Sequence, residues 1–386
     1  MFTRTGIGEV SLAEVRATAQ EHAAATDRDA TFPEETLDAL RRSGLLGLIV
    51  PAEFGGLGGS VPDMITVAQE LSRDCMSVGM IFAMHCQQVR AVVEHGSGPL
   101  RAAVLPRVAR GEIYVASVTT EAGSGGHLLS SNAELLSGRS TLHLDRFAPV
   151  VTGGAHADGF LITMRAPDAT SPAEVSLVYA DREQLDATVV GPWNPMGMRA
   201  THSVPMKIVG DVPDDQVVGR HGEFRDIALR TFAPLAHLGW AACWLGTADG
   251  ALTRTVRLLR DERKHRDLSS ELLLRRLSRV RQRLDSVHAL IQHTSRVWAE
   301  RPDDVLEPPV QLLLNSVKLT ASEQCLLAVD ELVEMVGLRH GYLRDSSLGL
   351  ERALRDLRSA SLNYSNDRLH AGGGALVLLD QDVHHV

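Results

Sequence analysis

An α+β protein is predicted, with a helical block, a β block and a second helical block in that order. Two observations carry this. Apolar residues recur three and four apart up to about residue 112 and again from about residue 221, whereas residues 113–220 hold short β-branched or alternating runs. Loop-forming Gly, Pro, Asp and Asn clusters separate only the middle runs, so the boundaries are drawn at 1–112, 113–220 and 221–386.

The first block contains LAEVRATAQEHAA, FPEETLDALRRSGLLGL and the long run from Val61 to His95. Pro33 followed by Glu34 and Glu35 is a favourable helix start, and Gly44 after Ser43 is a stop. Gly55, Gly56, Gly58 and Gly59 suit tight or left-handed turns. In the middle block, IYVASVTT, APVVTGG, GFLITMRA, EVSLVYA, ATVVGPW and VPMKIVG read as strands of an antiparallel sheet or barrel. The last block is Leu- and Arg-rich, with long helical patterns and short polar connections, which favours a four-helix bundle.

At 386 residues the chain has ample length for a large core. Its formal net charge of -9 disfavours nucleic acid as a partner, because phosphate binding needs a basic surface. No apolar run reaches the roughly 18 to 20 residues of a membrane span, and the first twenty residues lack a signal-peptide pattern. Cys75, Cys86, Cys243 and Cys325 show no metal-ligand spacing, so no metal is expected and the thiols read as buried and structural. A reduced, cytoplasmic protein is expected.

Several motifs together resemble the acyl-CoA dehydrogenase family: FPEETLDALRRSGLLGLIVPAEFGGLGG, SVTTEAGSGG, PVVTGGAHADGFLI, PWNPMGMRATHSVPMKIVG and ERALRDLRSASLNYSND. The resemblance runs from near Phe32 to near Asp367. It implies that family's helical, β-barrel and bundle fold, an FAD cofactor and a homotetramer. FMN would replace FAD in a two-component monooxygenase. By the same resemblance Ser117, Thr119, Thr120 and Thr152 flank the flavin, while Arg263 reaches the diphosphate, and Gly337 and Gly341 the adenosine half, of a neighbouring subunit's FAD. A guanidinium suits the diphosphate because its planar fork holds two anionic oxygens at once. Thr201, Ser203 and Arg230 are implied on the substrate side, while His202 between the two hydroxyls reads as solvent-facing.

This chain departs from the family pattern at several of these places. Val150 takes the usual aromatic position, Gly123–His127 replace the ending of the flavin loop, and Arg266 and Asp267 replace a Phe-Gly pair. Most consequentially, Tyr364 stands where the family usually carries its catalytic glutamate, and Leu229, before Arg230, stands at the alternative position. Removing a proton beside a thioester carbonyl needs a carboxylate tuned toward neutrality. Asp367 lies about one helical turn beyond the slot and is one substitute. Tyr364 itself is another, though a neutral phenol is a poor proton acceptor. Relatives on this scaffold that use reduced flavin and oxygen need no such base, and for them His85 and His370 are candidate donors.

The resemblance implies an FAD-dependent oxidoreductase, with dehydrogenation of an acyl thioester placed first. A flavin-dependent monooxygenase on the same fold is the alternative, and a catalytically degenerate flavin-binding scaffold the second. An electron-transfer flavoprotein serves as electron partner in the first reading and a flavin reductase in the other. Other small molecules than acyl thioesters enter as substrates with the alternative.

Overall fold

The computed structural model describes residues 9–121, 128–380 and 383–386. Among them are eleven α-helices and eight strands. The helices are α1 (Glu9–Asp29), α2 (Glu34–Arg42), α3 (Val61–Ser72), α4 (Met76–His95) and α5 (Gly98–Ala109), then α6 (Phe224–Ile227), α7 (Ala233–Asp261), α8 (Glu271–Glu300), α9 (Pro308–Gly337), α10 (Leu350–Leu357) and α11 (Asn366–Val377). The strands between them are β1 (Val115–Val118), β2 (Leu136–Ser137), β3 (Thr141–Val151), β4 (Gly159–Arg165), β5 (Val175–Asp181), β6 (Leu185–Val189), β7 (Val204–Pro213) and β8 (Val217–Val218). The expected succession of helices, strands and helices is therefore present. No described helix is long and apolar enough to cross a membrane.

Two compact units emerge: Met1–Met64, Ile81–Asn194 and Ala200–Ala236 form one, and Ile65–Met80, Pro195–Arg199 and His237–Val386 the other. The β block thus shares a unit with most of the N-terminal helices.

In the first unit, α2 behaves as its sequence dictates. Glu34 and Glu35 sit in its first turn, Arg41 and Arg42 in its last, each sign matched to the helix dipole. Gly44 then turns left-handed at φ 73°, a conformation glycine adopts without steric cost. The strands form two four-stranded sheets, β1-β4-β5-β8 and β2-β3-β7-β6. Pairing is antiparallel except between β1 and β4, where Val115 lies opposite Gly159 in parallel register. This pair departs from the expected all-antiparallel barrel, because β2 and β3, which intervene in sequence, belong to the other sheet. Along β3, Leu142, Leu144, Arg146 and Ala148 point inward between more exposed neighbours, the period-two pattern of a half-buried strand. By contrast β4 and β5 are buried over nearly their whole length and read as continuous apolar runs.

In the second unit, α9 is the helix against which α8, α10 and α11 pack. Its inward positions Val310, Leu314, Val317, Ala321, Cys325, Ala328 and Leu332 follow the three-and-four spacing. All four cysteines are unpaired and buried, and burial pushes the Cys243 thiol up to about 12, so they are inert packing groups.

Candidate functional site

Two clusters gather the residues the sequence singles out, one in each unit. The first is built where the turn after β3 meets the turn before β7. Gly153 N–H donates to the Thr201 carbonyl at 3.0 Å, and Tyr114 Oη donates to the Thr152 carbonyl at 3.3 Å. Gly153 has φ 61°, and a Cβ there would come within 2.6 Å of Tyr114 Oη and 2.7 Å of the Phe32 ring, so only glycine fits. Thr152 Oγ1 lies 3.0 Å from Ser203 Oγ, which lies 2.8 Å from Thr201 Oγ1. Ser203 and Thr201 are buried and Thr152 half-buried, so this chain of hydroxyls opens at Thr152.

Beside the hydroxyls, His156 stacks on Phe32 at 4.4 Å and meets the edge of His202 at 5.5 Å. His202 is a correction to the solvent-facing reading: it is half-buried, has φ 42°, and its Nδ1 is sealed with no hydrogen-bond partner. Burial holds its ring below the usual imidazole range.

The adjoining strand is held by a pair that sequence reasoning missed. Arg146, fully buried, sits 3.0 Å from Glu121 and donates to Ser131 Oγ at 2.9 Å and the Thr120 carbonyl at 3.1 Å. Glu121 in turn accepts from Asn132 N and Ala133 N, both at 2.9 Å. The signal was available, since an arginine at an inward position of an alternating strand must find a partner. Thr120 Oγ1 donates to the Val150 carbonyl at 2.9 Å and accepts from Val150 N at 3.3 Å. Ser117 and Thr119 are half-buried on and just after β1. The altered loop at Gly123–His127 lies outside the described residues.

His85 is fully buried in the same unit and is not a donor in waiting. Its Nε2 lies 2.9 Å from the Leu46 carbonyl and its Nδ1 accepts from Val115 N at 3.0 Å. Both nitrogens are taken by backbone, and burial pushes the ring down to about 4, so it is a neutral tie between elements. Arg230 lies in a π-helical turn, Ala228–Phe232, and pairs at 2.8 Å with Asp226 of the preceding helix. This is a partly exposed pair within its own chain segment.

The second cluster surrounds Tyr364. Two sequence motifs first meet beneath it: Met198 N donates to Asp356 at 2.6 Å and Arg355 donates to the Met196 carbonyl at 2.9 Å. A Cβ on Gly197 would come within 2.1 Å of the Arg355 carbonyl oxygen, which explains the glycine of the Gly-Met-Arg segment. Tyr364 follows in a turn at φ 51° and is 37% exposed. Its carbonyl accepts from Lys318 Nζ at 3.0 Å, and the same ammonium donates to Asn366 Oδ1 at 2.6 Å. Asn366 Nδ2 donates to Ser322 Oγ at 3.0 Å and to Glu323 Oε1 at 3.4 Å.

Lys318 is fully buried, with Nζ 5.7 Å from the centre of the Trp244 ring. Burial pulls it down from 10.5 to about 8, against the opposing pull of Glu323. The Tyr364 ring lies 6.5 Å from that of His237, whose Nδ1 is 2.9 Å from the Leu314 carbonyl. Lys318 and His237 were not foreseen, although each is a polar residue inside an apolar helical run.

Of the other candidates, Asp367 is exposed on the first turn of α11, and His370, also exposed, lies 3.7 Å from Glu323. Gly337 takes φ 72° and Gly341 is buried against Val333, as a close turn requires. Arg263 is exposed in the turn after α7, and its guanidinium makes no ion pair among the described residues.

The half-buried Thr152 hydroxyl, at the open end of the Thr201–Ser203 chain, is a group that suits hydrogen bonding to a heteroatom-rich cofactor. The fold is that of the flavin-dependent oxidoreductases that use FAD or FMN. Residues 11–112 match the model for the acyl-CoA dehydrogenase N-terminal domain, and residues 228–363 match that for the C-terminal domain. The chain belongs to the acyl-CoA dehydrogenase superfamily.

Among relatives, an acryloyl-CoA reductase (NADH) of Anaerotignum propionicum is 23% identical over 350 residues, 89% of this chain and 86% of the relative. The amino sugar nitrososynthase DnmZ of Streptomyces peucetius is 26% identical over 368 residues, 88% of this chain and 84% of its own length. Among solved structures, FMN-bound TdsC of Paenibacillus sp. A11-2 superposes with a TM-score of 0.85 at 21% identity, over 96% of this chain and 97% of that one.

Proposed function

We propose that this chain is a flavin-dependent monooxygenase that adds oxygen to a small molecule bearing a nitrogen or sulfur centre. One observation carries the reading: position 364 itself holds no carboxylate, and the buried charge fastened to its backbone is the Lys318 ammonium. An ammonium in the same shell stabilises a carboxylate and lowers its basicity, the reverse of what α-proton removal from a thioester requires. Oxygenation places no such demand. It asks for a dry pocket with a few oriented hydrogen-bonding groups, and Lys318 and Asn366, bonded to each other beneath the Tyr364 turn, are held in fixed positions.

The bound flavin would supply two-electron redox chemistry and, once reduced, reaction with oxygen. On this chain Thr152 would hydrogen-bond the ring, with Ser203 and Thr201 orienting its hydroxyl, and Arg263 would hold phosphate. Thr120, bonded to both backbone groups of Val150, would set the strand edge against which the ring lies, with Ser117 and Thr119 beside it. Gly337 and Gly341 would let backbone approach the adenosine half in the case of FAD. A homotetramer and a separate flavin reductase complete the reading. The relatives support it in kind, since one is named a nitrososynthase and dibenzothiophene monooxygenase TdsC shares the fold.

Dehydrogenation of an acyl thioester is the second reading, favoured by Glu323, the carboxylate that reaches the Tyr364 turn through Asn366 Nδ2 at 3.4 Å. The two separate cleanly. Anaerobic mixing of the flavin-loaded protein with butyryl-CoA should leave the flavin spectrum unchanged. Reduction by NAD(P)H and a flavin reductase, followed by oxygen, should give oxygenated product from a panel of amines and sulfides. Bleaching by the thioester without oxygen would overturn monooxygenation.

A further inference from the structure

Two histidines of this chain are buried and neutral, and they differ in one respect. His85 has both ring nitrogens bonded to backbone. His237, on α7 and only 5% exposed, has one. Its Nδ1 lies 2.9 Å from the Leu314 carbonyl, and since a carbonyl oxygen only accepts, Nδ1 carries the proton. Burial pushes the ring down to about 4, and the Lys318 ammonium adds to that pull, so at neutral pH the other nitrogen is a bare lone pair.

Nε2 makes no hydrogen bond among the described residues, nor is it one of the sealed polar atoms without a partner, so it borders accessible space. The centre of the His237 ring lies 6.5 Å from that of Tyr364, tilted by 47°, and 6.3 Å from that of Trp240. An acceptor this deeply buried is expected to be satisfied, and a ligand with a donor would satisfy it.

We infer that His237 Nε2 is the acceptor that selects ligands bound beside Tyr364, favouring a flat, mostly apolar molecule with an N–H or O–H donor. The inference rests on the reading that the Tyr364 segment faces substrate, and it adds the polarity of the group recognised. Four residues give the selection its physical basis. Leu314 fixes the tautomer through its carbonyl, burial, with Lys318 adding to it, keeps the ring from taking a second proton, and the Tyr364 and Trp240 rings supply a surface for a flat molecule.

The test uses the full chain and two probes, indole, whose ring N–H donates and whose nitrogen does not accept, and 1-methylindole, which lacks the donor. Nitrogen NMR of protein labelled at histidine should show His237 protonated at Nδ1 and bare at Nε2, with the Nε2 signal moving when indole is added. Calorimetry should find indole binding about tenfold tighter than 1-methylindole, the value of one added hydrogen bond. In H237N, where the amide can still donate to Leu314, the preference should vanish.

A proton on Nε2 in the free protein overturns the inference, and so does equal binding of the two indoles or binding of neither. The tautomer is read on the natural chain, so a misfolded variant does not rescue the idea. Failure of oxygen-dependent turnover bears on the proposed reaction and leaves this measurement untouched.

Discussion

Lys318 should make this protein's stability rise with pH in a window where most lysines contribute nothing. In the unfolded chain its ammonium keeps its proton to about pH 10.5, whereas in the fold it releases it near pH 8. Between those values the unfolded state binds more protons, so stability increases with pH through that window and is lowest below it. The displacement corresponds to about 3 kcal/mol at about 1.4 kcal/mol per pH unit. Replacing the residue in K318M removes this penalty but strands the Tyr364 carbonyl and Asn366 Oδ1, at about 1–3 kcal/mol each. The two effects nearly cancel at neutral pH, so a single melting curve will say little. The informative quantity is the difference between the natural chain and K318M, measured by urea unfolding from about pH 7 to about pH 10. It should move by about 3 kcal/mol in favour of the natural chain as pH rises. Parallel stability curves would refute the claim that a charged ammonium is buried under the Tyr364 turn.

Two further substitutions probe the frame around the clusters. G197A must push the Arg355 carbonyl away from a contact of 2.1 Å, and backbone cannot yield cheaply, so chemical denaturation should show a loss of about 1–3 kcal/mol. Arg263 is exposed and makes no ion pair among the described residues, so R263A should leave the unfolding midpoint unchanged while weakening FAD binding about tenfold, measured by equilibrium dialysis. An unchanged affinity would remove Arg263 from the flavin site.

Local rules were legible in the sequence where a single element decides them. The stop of α2 at Gly44 needs only a left-handed turn, and the strand alternation of β3 needs only one buried face. What stayed hidden was pairing over distance. The parallel register of β1 with β4 depends on a 40-residue excursion into another sheet, and nothing within either strand announces it. Lys318 and His237 have the spacing of core positions, so their periodicity marked them as interior without naming partners 46 and 77 residues away. His85 illustrates the opposite error. A lone histidine in an apolar helix looked chemical, yet two backbone groups had already claimed it. The π-helical turn that carries Arg230 was likewise hidden, because it is not encoded in apolar spacing.

The missing glutamate takes on a different meaning once Lys318 is seen. A carboxylate restored at position 364 would stand on a turn whose backbone carbonyl already holds a buried ammonium. That neighbour would favour the ionised form and depress the basicity on which proton abstraction depends. Substitution of Tyr364 by glutamate alone would therefore not recreate a tuned base, because the tuning shell has changed with it. Asn366 and Ser322 extend the same change, since they spend their polar atoms on Lys318 and on each other. Loss of function by random decay would leave buried polar groups stranded, at a cost of about 1–3 kcal/mol apiece. Here Lys318, Asn366 and Ser322 around position 364 are paired, and His237 keeps one ring nitrogen without a hydrogen bond among the described residues. A pocket rebuilt around a different polar requirement accounts for both facts.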